Sequence, residues 1–348
     1  MQIDYIKYPL KFKPVFKPTI WGGKKIASFM GDVEGKDGFS EGNIGECWGV
    51  SAVEGYESEV VNGNLKGMLL TKLASEYGAK LLGNKNAERF GNHFPLLVKF
   101  IDAAKDLSVQ VHPNDQLASE RHNCSGKTEM WYVIDAEDNA ALMSGFAKEI
   151  SREEFAKMAG REILDSLSRF NIKGGDLFYL PAGTVHSIGE GAFIAEIQQS
   201  SDITYRIYDF DRVDTAGKKR ELHTEQALEA IDFTITGDAC KILYKEHKSE
   251  SNNLWESVSE VVNGKYFSTS VAKLHPTAES NKLYTLDYAH LDSFVIITCV
   301  AGAASLLYGN GESMPIHRGD VILLPADLKK VEIELSQGGK FEFLETHI

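Results

Sequence analysis

The sequence predicts a mainly β protein built as two β-barrels, with a few helices inserted in and beside the first. Three observations carry that prediction. Short apolar runs of strand length recur along the chain, bounded by Gly and Pro. The 31 glycines, 13 tyrosines and 18 phenylalanines suit a turn-rich β fold. Gly175-Asp176-Leu177-Phe178-Tyr179-Leu180-Pro181-Ala182 is echoed by Gly319-Asp320-Val321-Ile322-Leu323-Leu324-Pro325-Ala326, a degenerate repeat of one β unit.

Residues 1–65 read as short strands and turns, punctuated at Pro14, Pro18 and Gly22-Gly23. Residues 66–91 change to helical spacing, with an apolar stripe of Leu69, Leu70, Leu73, Tyr77, Leu81 and Leu82. Strands return with Phe94-Pro95-Leu96-Leu97-Val98-Lys99-Phe100-Ile101, nearly continuous in apolar residues as a buried central strand is, and continue to His112. Residues 114–126 are polar and predict a short helix or loop. Ser151-Arg152-Glu153-Glu154 matches a capping box and opens a helical excursion to about Phe170. Strands resume at Asp176, and a helix is expected over Glu221 to Ile231. The weakly patterned segment 237–256 marks a boundary between a first unit, 1–240, and a second, 241–348, whose alternating pattern from 257 onward is that of strands. The helical insertions at about 66–91 and 151–170 both fall in the first unit.

With 348 residues, 43% of them hydrophobic, the chain can bury a sizeable core. A net charge of −13 argues against a general nucleic-acid surface, although a local cluster of Lys and Arg can still hold an anion. Cys47, Cys124, Cys240 and Cys299 form no CxxC pair and read as free thiols of a reducing cytoplasm. No run approaches the ~18 apolar residues of a membrane span, and Met1 to Pro9 shows no signal-peptide pattern. Nothing suggests a coiled coil or an obligate interface, so the default expectation is a monomer.

The chemistry concentrates in Gln110, His112, Glu129 and His186. Gln110 and His112 flank Val111 and share one face of a strand. Glu129 begins the apolar run Glu129-Met130-Trp131-Tyr132-Val133-Ile134. His186 ends Gly175-x5-Pro181-x-Gly183-x2-His186, which reads as strand, tight turn, strand. A lone histidine is ordinarily a structural residue. Four candidate ligands at strand spacing, each set in an apolar run, make a divalent metal site the better reading. Two imidazoles and a carboxylate suit zinc, iron(II) or manganese; a fourth protein ligand leaves fewer open positions and favours a redox-inert Lewis acid, zinc, one per chain. In the repeat Lys330 falls opposite His186, so the second unit has lost that ligand and a single site is expected.

Lys127, two residues before Glu129, shares its strand face. Ser108 shares the face of Gln110 and His112, and Lys99 is a charge inside an apolar run. Both are candidates for substrate contact. Gly22-Gly23-Lys24-Lys25 lacks the spacing of a phosphate loop. His93, His122, His223, His247, His275, His290, His317 and His347 have no partners at ligand spacing and read as structural or surface residues.

The Gly175–His186 spacing resembles the second motif of the cupin superfamily, a jelly-roll fold, with Gln110-x-His112 replacing the usual His-x-His of the first. That departure, with Leu107-Ser108-Val109-Gln110-Val111-His112-Pro113-Asn114, Gly126-Lys127-Thr128-Glu129-Met130-Trp131-Tyr132 and Tyr205-Arg206-Ile207-Tyr208-Asp209-Phe210-Asp211-Arg212, resembles the type I mannose-6-phosphate isomerases in their compact bacterial form. Trp21-Gly22-Gly23 and Ile44-Gly45-Glu46-Cys47-Trp48-Gly49-Val50-Ser51 resemble that family too. The resemblance implies zinc on Gln110, His112, Glu129 and His186, and Arg206 as a catalytic residue beside Lys127. The implied reaction interconverts mannose 6-phosphate and fructose 6-phosphate through an enediolate stabilised by the metal. Two other readings remain: a non-catalytic sugar-phosphate-binding cupin, and an iron(II) cupin oxygenase for which Gln110 is dispensable.

Overall fold

The computed structural model describes residues 6–30, 43–91, 93–213, 217–246, 248–251, 254–276, 282–335 and 339–348. Residues 1–5 and 31–42 of the first expected strand-and-turn segment, and His247, lie outside the described residues.

Up to residue 208 the strands are β1 (Leu10–Lys13), β2 (Val15–Gly23), β3 (Ile44–Val50), β4 (Glu59–Val60), β5 (Leu96–Asp102), β6 (Val109–Val111), β7 (Glu129–Ala136), β8 (Ala141–Phe146), β9 (Leu167–Asn171), β10 (Leu177–Leu180), β11 (His186–Ile188), β12 (Ala192–Gln199) and β13 (Tyr205–Tyr208). The helices are α1 (Lys25–Phe29), α2 (Leu70–Tyr77), α3 (Ala79–Leu82), α4 (Asn84–Phe90), α5 (Asp115–His122), α6 (Arg152–Phe155), α7 (Arg161–Asp165) and α8 (Thr224–Ala230). Then follow β14 (Lys241–Ile242), β15 (Lys248–Ser251), β16 (Leu254–Asn263), β17 (Ser268–Pro276), β18 (Lys282–Asp287), β19 (Val295–Tyr308), β20 (Glu312–His317), β21 (Val321–Leu324), β22 (Lys330–Leu335) and β23 (Phe341–His347).

These strands form three layers. A seven-stranded sheet, β14-β10-β7-β12-β5-β3-β2, lies in the middle. One of its faces packs on the five-stranded sheet β13-β6-β11-β8-β9 through Ile101, Trp131, Val133, Phe178, Ile188 and Ile194. Its other face presents Val98, Phe100, Met130, Tyr132 and Ile197 to Val271, Ile296 and Leu344 of the eleven-stranded sheet. Because both faces are covered, every residue of β5 and β12 is buried. The nearly continuous apolar runs follow from that, and they make Lys99 and Glu196 conspicuous.

The expected barrels are open. No ladder joins the seven- and five-stranded sheets among the described residues, so the first unit is a two-sheet jelly-roll sandwich, whose sheets meet through side chains. β1 leaves it to pair with β21 of the C-terminal strands, and β4 pairs with β1 at the edge of that sheet. β14, from the weakly patterned segment, pairs with β10.

The single helical stretch expected over 66–91 is three short helices. Gly78 (φ 47°) and Gly83 (φ 90°) break it, and a Cβ on Gly83 would sit 2.1 Å from the Asp292 carbonyl oxygen. The stripe otherwise holds, with Leu70, Leu73, Leu81 and Leu82 buried and Leu69 on the outside. The capping box at Ser151 forms, but the excursion stops at Asp165. Phe170 belongs to β9, paired opposite Leu142, because Leu167–Asn171 alternates from its buried Leu167 as an edge strand does. No helix among the described residues is long and apolar enough to cross a membrane. All four cysteines are free.

The repeat is structural as well. β10 follows Gly175 (φ 90°) and β21 follows Gly319 (φ 89°). Lys330 opens β22 as His186 opens β11, but its ammonium points outward to Glu332, 3.2 Å away.

Candidate metal centre and active site

Strand pairing assembles the site. Across the five-stranded sheet Arg206 is paired with Gln110, and Gln110 with His186, so these side chains form one row. Glu129 opens β7 in the facing sheet, between Leu180 and Gln198. The turn that delivers His186 is tied down by the Gly183 N–H, which donates to the His112 carbonyl at 2.9 Å.

His112, Glu129 and His186 bring one ligand atom each within 4.8 Å of one another, all buried. The imidazole orientations follow from their partners. His112 Nδ1 lies 2.8 Å from the Ile203 carbonyl oxygen and His186 Nδ1 lies 2.9 Å from that of Thr184. A carbonyl only accepts, so both Nδ1 atoms carry the proton and both Nε2 lone pairs turn to the carboxylate. Each Nε2 is 3.4 Å from a Glu129 oxygen. The Gln110 amide is 3.2 Å from His186 Nε2 and joins the triad through its side chain; a half-turn of the amide presents its oxygen there.

Electrostatics keep this set in ligand form. Burial, reinforced by the Lys127 ammonium, pushes His112 down to about 3, and burial lowers His186 in the same way. Burial alone would raise the Glu129 carboxyl, but Lys127 and then the two histidines hold it well below the usual carboxylate range. Lys127 Nζ lies 3.0 Å from His112 Nε2, 3.1 Å from Glu129 Oε2 and 3.7 Å from Glu196 Oε1.

The donor set fits a divalent cation. Neither oxygen of Glu129 accepts an aligned hydrogen bond, although the residue is buried; Lys127 meets Oε2 at 3.1 Å, and Oε1 faces the His186 Nε2 lone pair at 3.4 Å, an arrangement that a cation between the two would complete. Three carboxylates (Glu46, Glu129, Glu196) crowd into this cluster, met by the Lys99 and Lys127 ammonium groups at 3.1–3.7 Å, with Lys17 acting on Glu46 through space. Burial and the neighbouring Glu129 raise Glu196 accordingly.

A cavity of about 310 Å³ opens onto this cluster and is lined by all five of the other expected site residues: Lys99, Ser108, Gln110, Lys127 and Arg206. Lys99 is engaged by Glu196 at 3.3 Å and Glu46 at 3.6 Å, which outweigh its burial and raise it. Arg206 is half-buried, donates from Nη1 to the Glu221 carbonyl at 2.9 Å, and keeps a buried Nε without a partner. Burial and the nearby Arg220 lower it. Sequence reasoning missed Glu196, Glu46, Lys17 and Arg220, which line the same cavity. Glu196 carried the signal that singled out Lys99, a charge in an apolar run. Lys17, whose ammonium lies 4.0 Å from the Trp48 ring and 4.2 Å from that of Tyr56, and Arg220, paired with Asp209, carried none. Among the described residues no other group of His, Cys, Asp and Glu converges; His122 pairs with the Tyr205 hydroxyl and His223 with the Arg206 backbone N–H.

Gly183 tests the turn. Its φ is 94°, and a Cβ there would meet Asp232 Cβ at 3.0 Å and the Ala230 carbonyl at 3.1 Å. Gly183→Ala is expected to cost about 1–3 kcal/mol of stability, read by urea unfolding, and to displace His186 with it.

Two family models match the chain: phosphomannose isomerase type I, catalytic domain, over residues 10–145, and mannose-6-phosphate isomerase, cupin domain, over residues 257–347. The chain is 36% identical over 342 residues to mannose-6-phosphate isomerase ManA of Bacillus subtilis, covering 98% of this chain and 99% of that one. It is 34% identical over 341 residues to mannose-6-phosphate isomerase of Streptococcus mutans, covering 97% and 98%. The crystal structure of the mannose 6-phosphate isomerase from Bacillus subtilis superposes with a TM-score of 0.80 at 32% identity, over 98% of this chain and 99% of that one. With a cupin jelly roll, a buried His/Glu/His centre and near full-length identity to these relatives, the chain belongs to the type I phosphomannose isomerase family.

Proposed function

We propose that this protein interconverts mannose 6-phosphate and fructose 6-phosphate with one zinc ion held by Gln110, His112, Glu129 and His186. The observation that carries the reading is the buried Glu129 carboxylate, without an aligned hydrogen bond and facing two imidazole lone pairs. The family and the relatives' activity support it.

The reaction moves a proton between C2 and C1 of the sugar while the carbonyl moves the other way, through an enediolate. When bound, a divalent ion at this centre supplies Lewis-acid stabilisation for the negative charge that develops on the sugar oxygen. Around it the chain's own residues orient the sugar and move the proton between its two oxygens. Lys127, at the edge of the ligand triad, is placed to carry a proton between the two oxygens, with Glu196 as its second partner. Arg206, one strand from Gln110, adds fixed positive charge beside the reacting end. Ser108 and Lys99 contact substrate in the same cavity, where Lys17 and Arg220 add cations for the phosphate.

The chain divides near residue 240 into a catalytic unit and a second unit without a metal of its own. Free cysteines and the lack of a membrane-crossing helix among the described residues support a cytoplasmic enzyme, which we take to be a monomer.

Purified protein should contain about one zinc per chain, and fructose 6-phosphate formation from mannose 6-phosphate should be lost on chelation and restored by zinc. Metal without isomerisation would sink the function. Tight binding without turnover would favour the sugar-phosphate sensor, and loss of activity without oxygen the iron(II) oxygenase.

A further inference from the structure

The loop between β16 and β17 reaches from the C-terminal unit to the catalytic one. Phe267 anchors it, buried with its ring 6.2 Å from that of Tyr179. The Tyr266 hydroxyl donates to Asp115 Oδ2 at 2.7 Å and accepts from Lys265 Nζ at 3.2 Å. Asp115 opens α5, and its other oxygen accepts the Gly126 N–H at 3.0 Å and Gln199 Nε2 at 2.9 Å. Gln199 ends β12 and is 6% exposed. Its side-chain oxygen accepts the Thr128 N–H at 2.9 Å, and its own N–H donates to the Thr128 carbonyl at 3.1 Å. Thr128 stands between Lys127 and Glu129. Its hydroxyl accepts the Ala182 N–H at 3.1 Å, from the turn that delivers His186.

We infer that Tyr266 is a positioning residue for the active site, fixing the Thr128 backbone, and so the aim of Lys127 and Glu129, through Asp115 and Gln199. Every link is a direct hydrogen bond, and two of them end on a carboxylate, where such bonds are strongest. Thr128 is held on both its N–H and its carbonyl by one glutamine, so a shift of Gln199 tilts the peptide from which the two functional side chains spring. The C-terminal unit, which carries no ligand of its own, thereby acts on the chemistry. A misplacement of about 1 Å costs up to about a hundredfold in rate, so a single lost hydroxyl has a readable effect.

The catalytic readout rests on the proposed isomerisation; a second readout does not. Tyr266→Phe keeps the ring and removes only the donor. It is expected to lower kcat about tenfold with KM within about twofold, and Asp115→Ala to do the same. Because both act on one chain of contacts, the double variant should be no worse than either, whereas independent effects would multiply to about a hundredfold. Amide exchange at Thr128 should quicken in Tyr266→Phe at a temperature where the fold is intact. Multiplying effects, an unchanged kcat in an active enzyme, or unchanged Thr128 exchange would overturn the inference. If the wild type shows no turnover, the proposed function fails and the exchange measurement alone decides the relay. Should Asp115→Ala fail to fold, Asp115→Asn takes its place in the cycle.

Discussion

Glu129→Gln is expected to lose the bound metal and to lower isomerisation by about a thousandfold or more, the equivalent of about 4 kcal/mol of transition-state stabilisation. The substitution is nearly isosteric, so its effect is electrostatic. Removing this carboxylate takes away the one anionic member of the buried triad, and Lys127, which it holds at 3.1 Å, loses its nearest counter-charge. It also replaces one of the two oxygens that lie 3.4 Å from the imidazole Nε2 atoms with an amide N–H donor. Because the substitution keeps the side chain's shape, the metal-free fold should survive, with thermal unfolding somewhat below that of chelated wild type for want of the buried Lys127–Glu129 pair. Elemental analysis and a turnover assay check the prediction together. Stoichiometric metal with activity within about tenfold of wild type would remove Glu129 from the centre.

Lys127→Met is expected to act differently, lowering kcat by about 10²–10⁴ while the metal stays. The methionine keeps the length of the stem and discards the ammonium. That ammonium stands 3.0 Å from His112 Nε2 and 3.1 Å from Glu129 Oε2, close enough to compete with any other cation for the same atoms. Its removal should therefore leave metal affinity equal or higher, as measured by competition with a chelator. A proton carrier lost with the metal retained separates this residue from a ligand. A variant with kcat within about tenfold of wild type would exclude Lys127 from proton transfer.

Much of the centre was legible along the chain because strands have a period of two. Gln110 and His112 share a face whatever the partner strand, and so do Lys127 and Glu129. The apolar runs around them announced burial, and burial of polar groups announced a purpose. Glu196 was equally legible and passed over, as the only charge in an apolar run paired opposite Lys99. The helical stretches were harder. Periodicity found the stripe from Leu70 to Leu82, but Gly78 and Gly83 cut it for reasons lying elsewhere, among them the close approach of Asp292 to Gly83. At Phe170 an amphipathic pattern served a strand, because it had a partner in β8.

The β architecture, the internal repeat, the four candidate ligands and Lys127 could be read along the chain because they rest on local period and local motif, whereas Arg206 rested on the resemblance of its motif to a known family. It took the folded chain to show that the barrels open into three stacked layers, with β1 paired to the C-terminal strands and β4 paired to β1. The fold alone neutralised Lys99 with Glu196 and Glu46, brought Lys17 and Arg220 to the cavity, and tied Tyr266 to Thr128. The reason is physical: these contacts join segments tens to hundreds of residues apart, and a hydrogen bond or ion pair between them imposes no repeat on either segment's own sequence.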